Sequence, residues 1–313
     1  MPSPFPLVFK ALARLPLPVL HNLGALAGWL AWLLSATYRR NFRRHIEQAG
    51  LADARSEAIA EAGKSLLELP KIWLCPQQEV VDLVVKVSGW ELVEQAWATD
   101  RGILFLTPHL GCFEVTAQYY ALRKPMTVLY RRPKQDWLAP LIEQGRGANL
   151  KLAPADLSGV RRLLKALKNG EAVGMLPDQV PGNGEGAWLP FFGRPAYTMT
   201  LAARLAETGA TVLMAYAERL HYGAGYHLRL FPLSAPLAGD LMQRAAQLNR
   251  ELETLIRQCP GQYLWGYNRY KVPAGAEPPG GGHFRSDNPE RSEPRSPPSP
   301  GRGRGEGAPE IAS

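Results

Sequence analysis

The sequence predicts an α/β domain that follows an apolar helix and precedes a disordered tail. In the middle of the chain, short apolar runs alternate with stretches of helical periodicity, which is typical of a sheet flanked by helices. Residues 15–38 contain no charged side chain, and the chain after residue 273 is dominated by Pro, Gly, Ser and Arg. We therefore divide the chain into an anchor with a basic flank (residues 1–45), one folded domain (residues 46–272) and a tail (residues 273–313).

The apolar segment at residues 15–38 is long enough, as a helix, to cross or deeply enter a bilayer. Lys10 and Arg14 precede it, and four arginines lie between positions 39 and 44. By the positive-inside rule, the domain that follows is expected on the cytoplasmic side of the membrane. A cleaved signal peptide and a buried core helix are the rival interpretations, and the arginine cluster disfavours export.

The folded part of the chain is basic. The net charge is +8, and the tail contributes none of the excess because it holds five arginines and six acidic residues after position 273. Such a field suits an anionic membrane, a phosphorylated lipid, an acidic carrier protein or nucleic acid. The three cysteines have no metal-like spacing and indicate a reducing compartment.

Seven apolar runs are predicted to form strands, at residues 84–87, 103–106, 126–130, 150–153, 172–176, 211–217 and 226–231. The clearest helix is predicted over residues 157–168, with Asp156 as its N-cap and Gly170 as its stop. Another is predicted over about residues 237–258. The glycines of residues 181–186 fit no phosphate-binding spacing, so that segment is predicted to be a mobile loop.

Residues 107–114 carry the strongest chemical signal. They read Thr-Pro-His-Leu-Gly-Cys-Phe-Glu and follow a predicted strand, so His109 is expected at a strand-to-helix corner. Glu114, in the first turns of the helix, is expected to reach back to the imidazole and select its tautomer. This is the arrangement of a general base with its orienting acid, and the alternative is a histidine satisfied by local backbone.

Covalent and metal-dependent chemistry are not expected from the motifs. There is no Gly-x-Ser-x-Gly elbow, and the six histidines are scattered without ligand spacing. We therefore expect direct attack on an activated substrate, with no metal and no bound cofactor.

These residues, with several later motifs, resemble the lipid A biosynthesis acyltransferases of Gram-negative bacteria. The resemblance spans roughly residues 15–272. Its motifs, in order, are His109-x4-Glu114, Tyr130-Arg131-Arg132-Pro133, Gly145-Arg146, Pro177-Asp178-Gln179, Pro190-Phe191-Phe192-Gly193, Tyr197-Thr198-Met199-Thr200, and a closing Gln262-Tyr263-Leu264-Trp265 followed by Asn268-Arg269-Tyr270-Lys271. The chain departs from the family at Lys134-Gln135-Asp136, where members often carry Asn or Asp-Asn.

The resemblance implies transfer of a fatty acyl group from acyl carrier protein, as co-substrate, to a hydroxyl of a lipid A precursor at the inner membrane, with no role for nucleic acid. It implies a mixed sheet flanked by helices, similar to the glycerolipid acyltransferases. His109 would act as the general base, oriented by Glu114. The substrate-binding positions would be Arg132, Arg146, Asp178 and Gln179, with the two arginines suited to phosphates or to the oxyanion.

Two alternatives remain open. The same scaffold could acylate another membrane lipid, either a lysophospholipid or an ornithine-type aminolipid; Glu114 in place of Asp and the closing Tyr-Leu-Trp disfavour the lysophospholipid reading. A non-enzymatic membrane or nucleic-acid binder is suggested by the net charge and by Gly-Arg-Gly-Arg in the tail, but no aromatic-basic RNA motif accompanies that repeat.

Overall fold

A computed structural model describes residues 5–133, 137–140 and 149–279 of the chain. Arg146, predicted to bind substrate, lies outside the described residues, as do residues 134–136 and the predicted tail from residue 280 onward. The first residues of that predicted tail contact the domain, because Trp188 Nε1 donates to the carbonyl of Glu277 at 2.8 Å.

Within the described residues, seven strands form one mixed sheet in the order β1-β9-β8-β2-β5-β3-β4, and a separate hairpin pairs β6 with β7. The strands are β1 (Val84–Ser88), β2 (Ile103–Leu106), β3 (Met126–Tyr130), β4 (Leu150–Pro154), β5 (Ala172–Met175), β6 (Gly186–Phe191), β7 (Arg194–Met199), β8 (Thr211–Arg219) and β9 (Tyr226–Pro232). Five neighbouring strands, from β8 to β4, are parallel; β9 turns back antiparallel to β8, and β1 pairs parallel with β9.

Helices cover both faces of the sheet. They are α1 (Phe5–Ala13), α2 (Leu17–Leu34), α3 (Ala36–Gln48), α4 (Arg55–Leu67), α5 (Leu69–Leu74), α6 (Gln77–Asp82), α7 (Trp90–Ala98), α8 (Phe113–Ala121), α9 (Leu157–Lys168), α10 (Leu201–Ala206) and α11 (Leu241–Gln258). Strand β2 shows why two layers are needed: Leu104 and Leu106 enter the core beneath α4, α9 and α11, whereas Ile103 and Phe105 enter the core beneath α7 and α8.

The sequence predictions of α/β class and strand positions are confirmed. Each of the seven predicted strands is present, with bounds that differ by no more than two residues. Helix α9 has the predicted bounds, and the Asp156 carboxylate accepts the Gly159 N–H at 2.9 Å, as an N-cap does. Helix α11 begins at Leu241, later than predicted, because Asp240 and Gln243 form a capping box there. The β6–β7 hairpin was not predicted.

Helix α2 is, of the described helices, the one that is long and apolar enough to cross a bilayer. One of its faces packs tightly on α4. A Cβ added to Gly24 would lie 2.6 Å from the Lys64 Cα, and one added to Gly63 would collide with the backbone of Gly24 and Gly28. The two helices therefore meet backbone to backbone, at a distance that only glycine permits.

We expect Gly63→Val to separate α2 from α4 and to lower the free energy of unfolding by about 2 kcal/mol or more, as overpacking of a tight contact does. Denaturant unfolding of the detergent-solubilised protein measures this. Ser56→Val, on the exposed side of the same helix, is the matched control. Equal losses in the two variants would contradict the close contact.

Candidate active site

The site is built by two neighbouring parallel strands that end level with each other. Strands β2 and β5 pair in register, with Leu106 opposite Met175. His109 and Asp178 each lie three residues beyond these strand ends, so residues distant in the chain emerge side by side at the carboxyl edge of the sheet. This is the edge at which open α/β sheets bind ligands.

Asp178 holds His109 at two points. The ring Nδ1 lies 2.9 Å from Asp178 Oδ1, and the His109 backbone N–H donates to Oδ2 at 3.0 Å. Because the carboxylate accepts both bonds, the ring proton lies on Nδ1 and the lone pair on Nε2 faces outward. The side-chain amide of Gln179 lies 3.2 Å from Nε2 and donates to that lone pair.

Asp178 is 1% exposed yet is held as a carboxylate. Burial raises its pKa, but the nearby charge of His109 and the hydrogen bonds from His109 outweigh burial, and the net pKa of Asp178 lies below its ordinary value. A carboxyl with a lowered pKa stabilises the fold at pH values above its unfolded pKa. That contribution is lost as the pH falls through its folded pKa.

Aromatic side chains fix the plane of the imidazole. The Phe113 ring lies edge-on, with centroids 5.0 Å apart, and the Tyr267 ring is stacked with centroids 6.1 Å apart. Tyr267 is held in turn by the Val180 N–H, which donates to its hydroxyl at 2.9 Å. The ring can therefore neither rotate away from Asp178 nor tilt without displacing a neighbour.

The closing segment after α11 supports the His109 loop from behind. The Leu264 N–H donates to the His109 carbonyl at 3.0 Å, and the Gly111 N–H donates to the Gln262 carbonyl at 3.1 Å. The side-chain amide of Gln262 also accepts from the backbone N–H of Arg219 on β8 and donates to its carbonyl. Backbone hydrogen bonds therefore fix the His109 loop on the closing segment, as they fix neighbouring strands in a sheet.

A buried ion pair lies behind the same loop. The Arg219 guanidinium donates to both oxygens of Glu68, and its Nη2 also donates to the Gly111 carbonyl at 2.8 Å. Tyr226 Oη and His21 Nε2 contact the second Glu68 oxygen at 2.9 and 3.1 Å. Burial alone raises the pKa of Glu68, but Arg219 and His21 outweigh it and lower that pKa to about 2.

A cavity of ≈ 330 Å³ opens beside Gln179, at the carboxyl ends of β3, β4 and β5. Its apolar walls are Leu129, Val160, Leu176, Val180, Met199 and Leu201. Its polar members include Arg131, Asp156, Gln179, Glu185 and Arg204. The cavity therefore offers an apolar compartment directly next to a histidine that is oriented to accept a proton.

Comparison with known proteins identifies the family of the chain. The sequence profile of the family described as bacterial lipid A biosynthesis acyltransferase matches residues 6–272, which is most of the chain. The chain belongs to this family. It is an acyltransferase, and the predicted resemblance is confirmed.

Three relatives illustrate the similarity, and all are from Escherichia coli (strain K12). The lipid A biosynthesis lauroyltransferase is 28% identical over 278 residues, covering 85% of this chain and 89% of the relative. The palmitoleoyltransferase is 29% identical over 270 residues, covering 83% and 87%. The myristoyltransferase is 22% identical over 262 residues, covering 79% and 78%. These relatives are named for three different acyl chains, although all three are named as lipid A biosynthesis enzymes.

In this acyltransferase, the carboxylate on the imidazole is Asp178. The sequence assigned that position to Glu114, which is half-buried in the first turn of α8, and assigned substrate binding to Asp178. Both ring nitrogens have partners other than Glu114. The difference arises because spacing along the chain reports only local neighbours, whereas Asp178 arrives through the sheet. The catalytic role of Glu114 stays a prediction.

Of the two arginines that directly follow β3, Arg131 lines the cavity. The sequence assigned substrate binding to its neighbour Arg132, which is not among the lining residues. The two follow β3 directly, and successive side chains of an extended chain point to opposite sides. The role of Arg132 stays a prediction, as does that of Arg146, which lies outside the described residues.

Sequence reasoning missed Glu68, Arg219, His21 and Tyr267. Nothing in their local spacing indicated a role near the site. A charged residue such as Glu68 or Arg219 is by default expected at the surface. The signal that was available is the closing Gln262–Trp265 motif. Its residues hydrogen-bond the His109 loop and the backbone of Arg219.

We expect Asp178→Asn to lower kcat about 10³- to 10⁴-fold, the loss that follows when an orienting acid no longer selects the tautomer. Asparagine has one acceptor atom where Asp178 uses two, so an amide N–H must face either the His109 backbone or the ring. Proton NMR of the Nδ1–H gives the direct readout. This downfield signal should disappear or shift upfield in Asp178→Asn, and it should keep its position in Glu114→Gln.

Asp240→Asn is the matched control, because asparagine serves equally well as the N-cap of α11. Persistence of the Nδ1–H signal in Asp178→Asn, with its loss in Glu114→Gln, would place Glu114 on the ring instead.

Proposed function

We propose that this acyltransferase transfers a fatty acyl chain from acyl carrier protein to a hydroxyl of a lipid A precursor. One observation carries the proposal: Asp178 holds the proton on Nδ1 of His109, and the Nε2 atom contacts Gln179, which lines an apolar cavity. The lipid A acceptor is supported by the relatives, which are named for lipid A biosynthesis.

The reaction follows from this arrangement. His109 Nε2 takes the proton of the acceptor hydroxyl, and the oxygen attacks the thioester carbonyl carbon. The tetrahedral intermediate then expels the carrier thiolate, which receives the proton from the imidazolium. Asp178 stabilises the imidazolium between these two transfers. The Gln179 amide now donates to Nε2, at the position where the acceptor hydroxyl would donate.

The cavity is the proposed compartment for the acyl chain. Its apolar walls are side chains from β3, the segment after β5, the end of β7, α9 and α10. Burying an acyl chain there contributes about 0.8 kcal/mol per methylene. Phe191 and Phe192 do not contribute to this compartment, since both rings are buried in the core.

The donor is proposed to arrive on the outer face of α9. Leu157 and Val160 of this helix line the cavity, and four of its exposed side chains are basic: Arg161, Arg162, Lys165 and Lys168. An acidic carrier docked on this face would present its acyl thioester to the adjoining cavity.

The acceptor and the location are proposed from charge. Arg131, Arg132 and Arg146 would pair with lipid phosphates, because guanidinium groups bind phosphate oxygens bidentately. The arginines between positions 39 and 44 favour placement of the domain on the cytoplasmic side of the inner membrane.

Acyl transfer to a Kdo-bearing tetraacyl lipid A precursor should be measurable with detergent-solubilised enzyme and acyl carrier protein thioesters. His109→Ala should lower kcat by at least about 10³-fold because it removes the base and later acid of the reaction. His221→Ala, which replaces an exposed histidine in the β8–β9 turn, should retain activity. Transfer to a lysophospholipid or an aminolipid, with none to the lipid A precursor, would contradict the proposed acceptor.

A charge reversal tests the carrier surface. Arg161→Glu with Arg162→Glu should raise the KM for acyl-acyl carrier protein at least tenfold, with little change in kcat, since long-range attraction acts before the chemical step. An acyl-pantetheine donor lacks the acidic protein and should be unaffected. Arg250→Glu on α11 is the control. An equal effect on both donors would contradict docking of the carrier at α9.

A further inference from the structure

The exposed apolar side chains of this protein are concentrated on its first two helices. Among the described residues, fourteen large hydrophobic side chains are exposed, and nine of them lie on α1 and α2. On α2 they recur along one face, at Val19, Leu23, Leu26, Leu30 and Leu33. This face, which we call the outer face of α2, points away from the domain, and water does not favour so large a patch.

The whole length of α2 lies against the domain. At its first turn, Leu17 and Leu20 are buried, and Gly223 of the β8–β9 turn abuts Pro18. At its last turn, the Trp32 ring packs edge-on against Phe42 with centroids 5.4 Å apart. An 18-residue helix is about 27 Å long, close to the thickness of a bilayer's hydrocarbon core. A helix that crossed the bilayer would carry one of these ends out of reach of the domain.

The inner face of α2 cannot be turned toward lipid either. His21, on that face, contacts Glu68, which is ion-paired with Arg219 inside the domain. The partner helix α4 carries Glu61 and Lys64 within hydrogen-bond contact of each other. To surround α2 with hydrocarbon would draw these charges into it or leave them unpaired, at a cost of several kcal/mol.

We propose that α1 and α2 lie parallel to the membrane plane, with the outer face of α2 sunk into one leaflet of an anionic phospholipid bilayer, and do not span it. The apolar side chains enter the acyl region, and the packed inner face remains on the domain. The chain therefore enters and leaves this segment on the same side of the membrane.

A second region of the fold supports this orientation. Tyr222, in the turn that abuts α2, is 95% exposed and has a positive φ of 57°. A tyrosine with an apolar ring and a polar hydroxyl suits the headgroup layer. Exposed basic side chains also bracket α2 in the chain, with Lys10 and Arg14 before it and Arg40 after it. These charges match anionic headgroups and do not suit an acyl core or an apolar protein partner.

Cysteine accessibility distinguishes the two topologies without any enzyme assay. Arg14→Cys and Arg40→Cys place a thiol before and after α2, and the native Cys112 and Cys259 are buried. In a Gram-negative host, a membrane-impermeant maleimide should label both new thiols from the same side: neither in spheroplasts and both in inside-out vesicles. Labelling of the two from opposite sides would overturn the proposal. The wild-type chain gives the background.

Vesicle binding tests whether lipid or a second copy of the chain contacts the outer face of α2. Leu26→Glu with Leu30→Glu should weaken binding of the full chain to phosphatidylethanolamine–phosphatidylglycerol vesicles at least tenfold. Met242→Glu, which replaces an exposed apolar side chain of α11, should leave binding unchanged. Unchanged vesicle binding, together with a lipid-free dimer that the double variant dissociates, would assign the face to a second copy of the chain and overturn the proposal.

Discussion

The active site depends on the in-register pairing of β2 with β5. Each strand is short and entirely buried, and each delivers one functional residue at the same distance beyond its end. A slip of one residue in this register would move His109 away from Asp178 by the rise of one strand residue, about 3.3 Å. That shift exceeds the tolerance of a hydrogen bond. The apolar core on both faces of the sheet therefore fixes the catalytic geometry, because it allows only one register.

The ion pair between Glu68 and Arg219 sets the position of the loop that follows. Buried charges are expensive to desolvate, and this pair is supported by hydrogen-bond partners from three other parts of the chain. One of these partners is the Gly111 carbonyl, two residues from His109. Another is His21 on α2. The same pair thus joins α2 to the loop that carries His109, so displacement of α2 would remove the His21 contact from Glu68.

Much of the fold could be predicted from sequence, because parallel strands buried on both faces are nearly continuous apolar runs. The β6–β7 hairpin escaped prediction for a physical reason. Pro190 and Pro195 lie within its strands and pair with each other at its edge, where proline is tolerated but where it normally argues against a strand. The preceding glycines, among them Gly184 with a positive φ, strengthened the impression of a loop.

The candidate base His109 was predictable, and the carboxylate that contacts its ring was not. His109 stands out because a strand, a proline and a helix start surround it in the chain. Asp178 can be connected to it only once the strand order is known, since many other residues follow strands. The tight α2–α4 contact is likewise invisible along the chain: Gly24 and Gly28 have the spacing of a close helix contact, but the partner glycine lies in a polar helix.

The in-plane placement of α2 bears on how the two substrates meet. Three hydrogen-bond contacts connect α2 with the backbone near His109. His21 on the inner face of α2 contacts Glu68, Glu68 pairs with Arg219, and Arg219 donates to the Gly111 carbonyl. Under the proposed function, the acceptor lipid stays in its leaflet, whereas the proposed donor chain enters the cavity from the basic side of α9. Acyl transfer in this arrangement would require desolvation of one acyl chain, and not of a whole lipid.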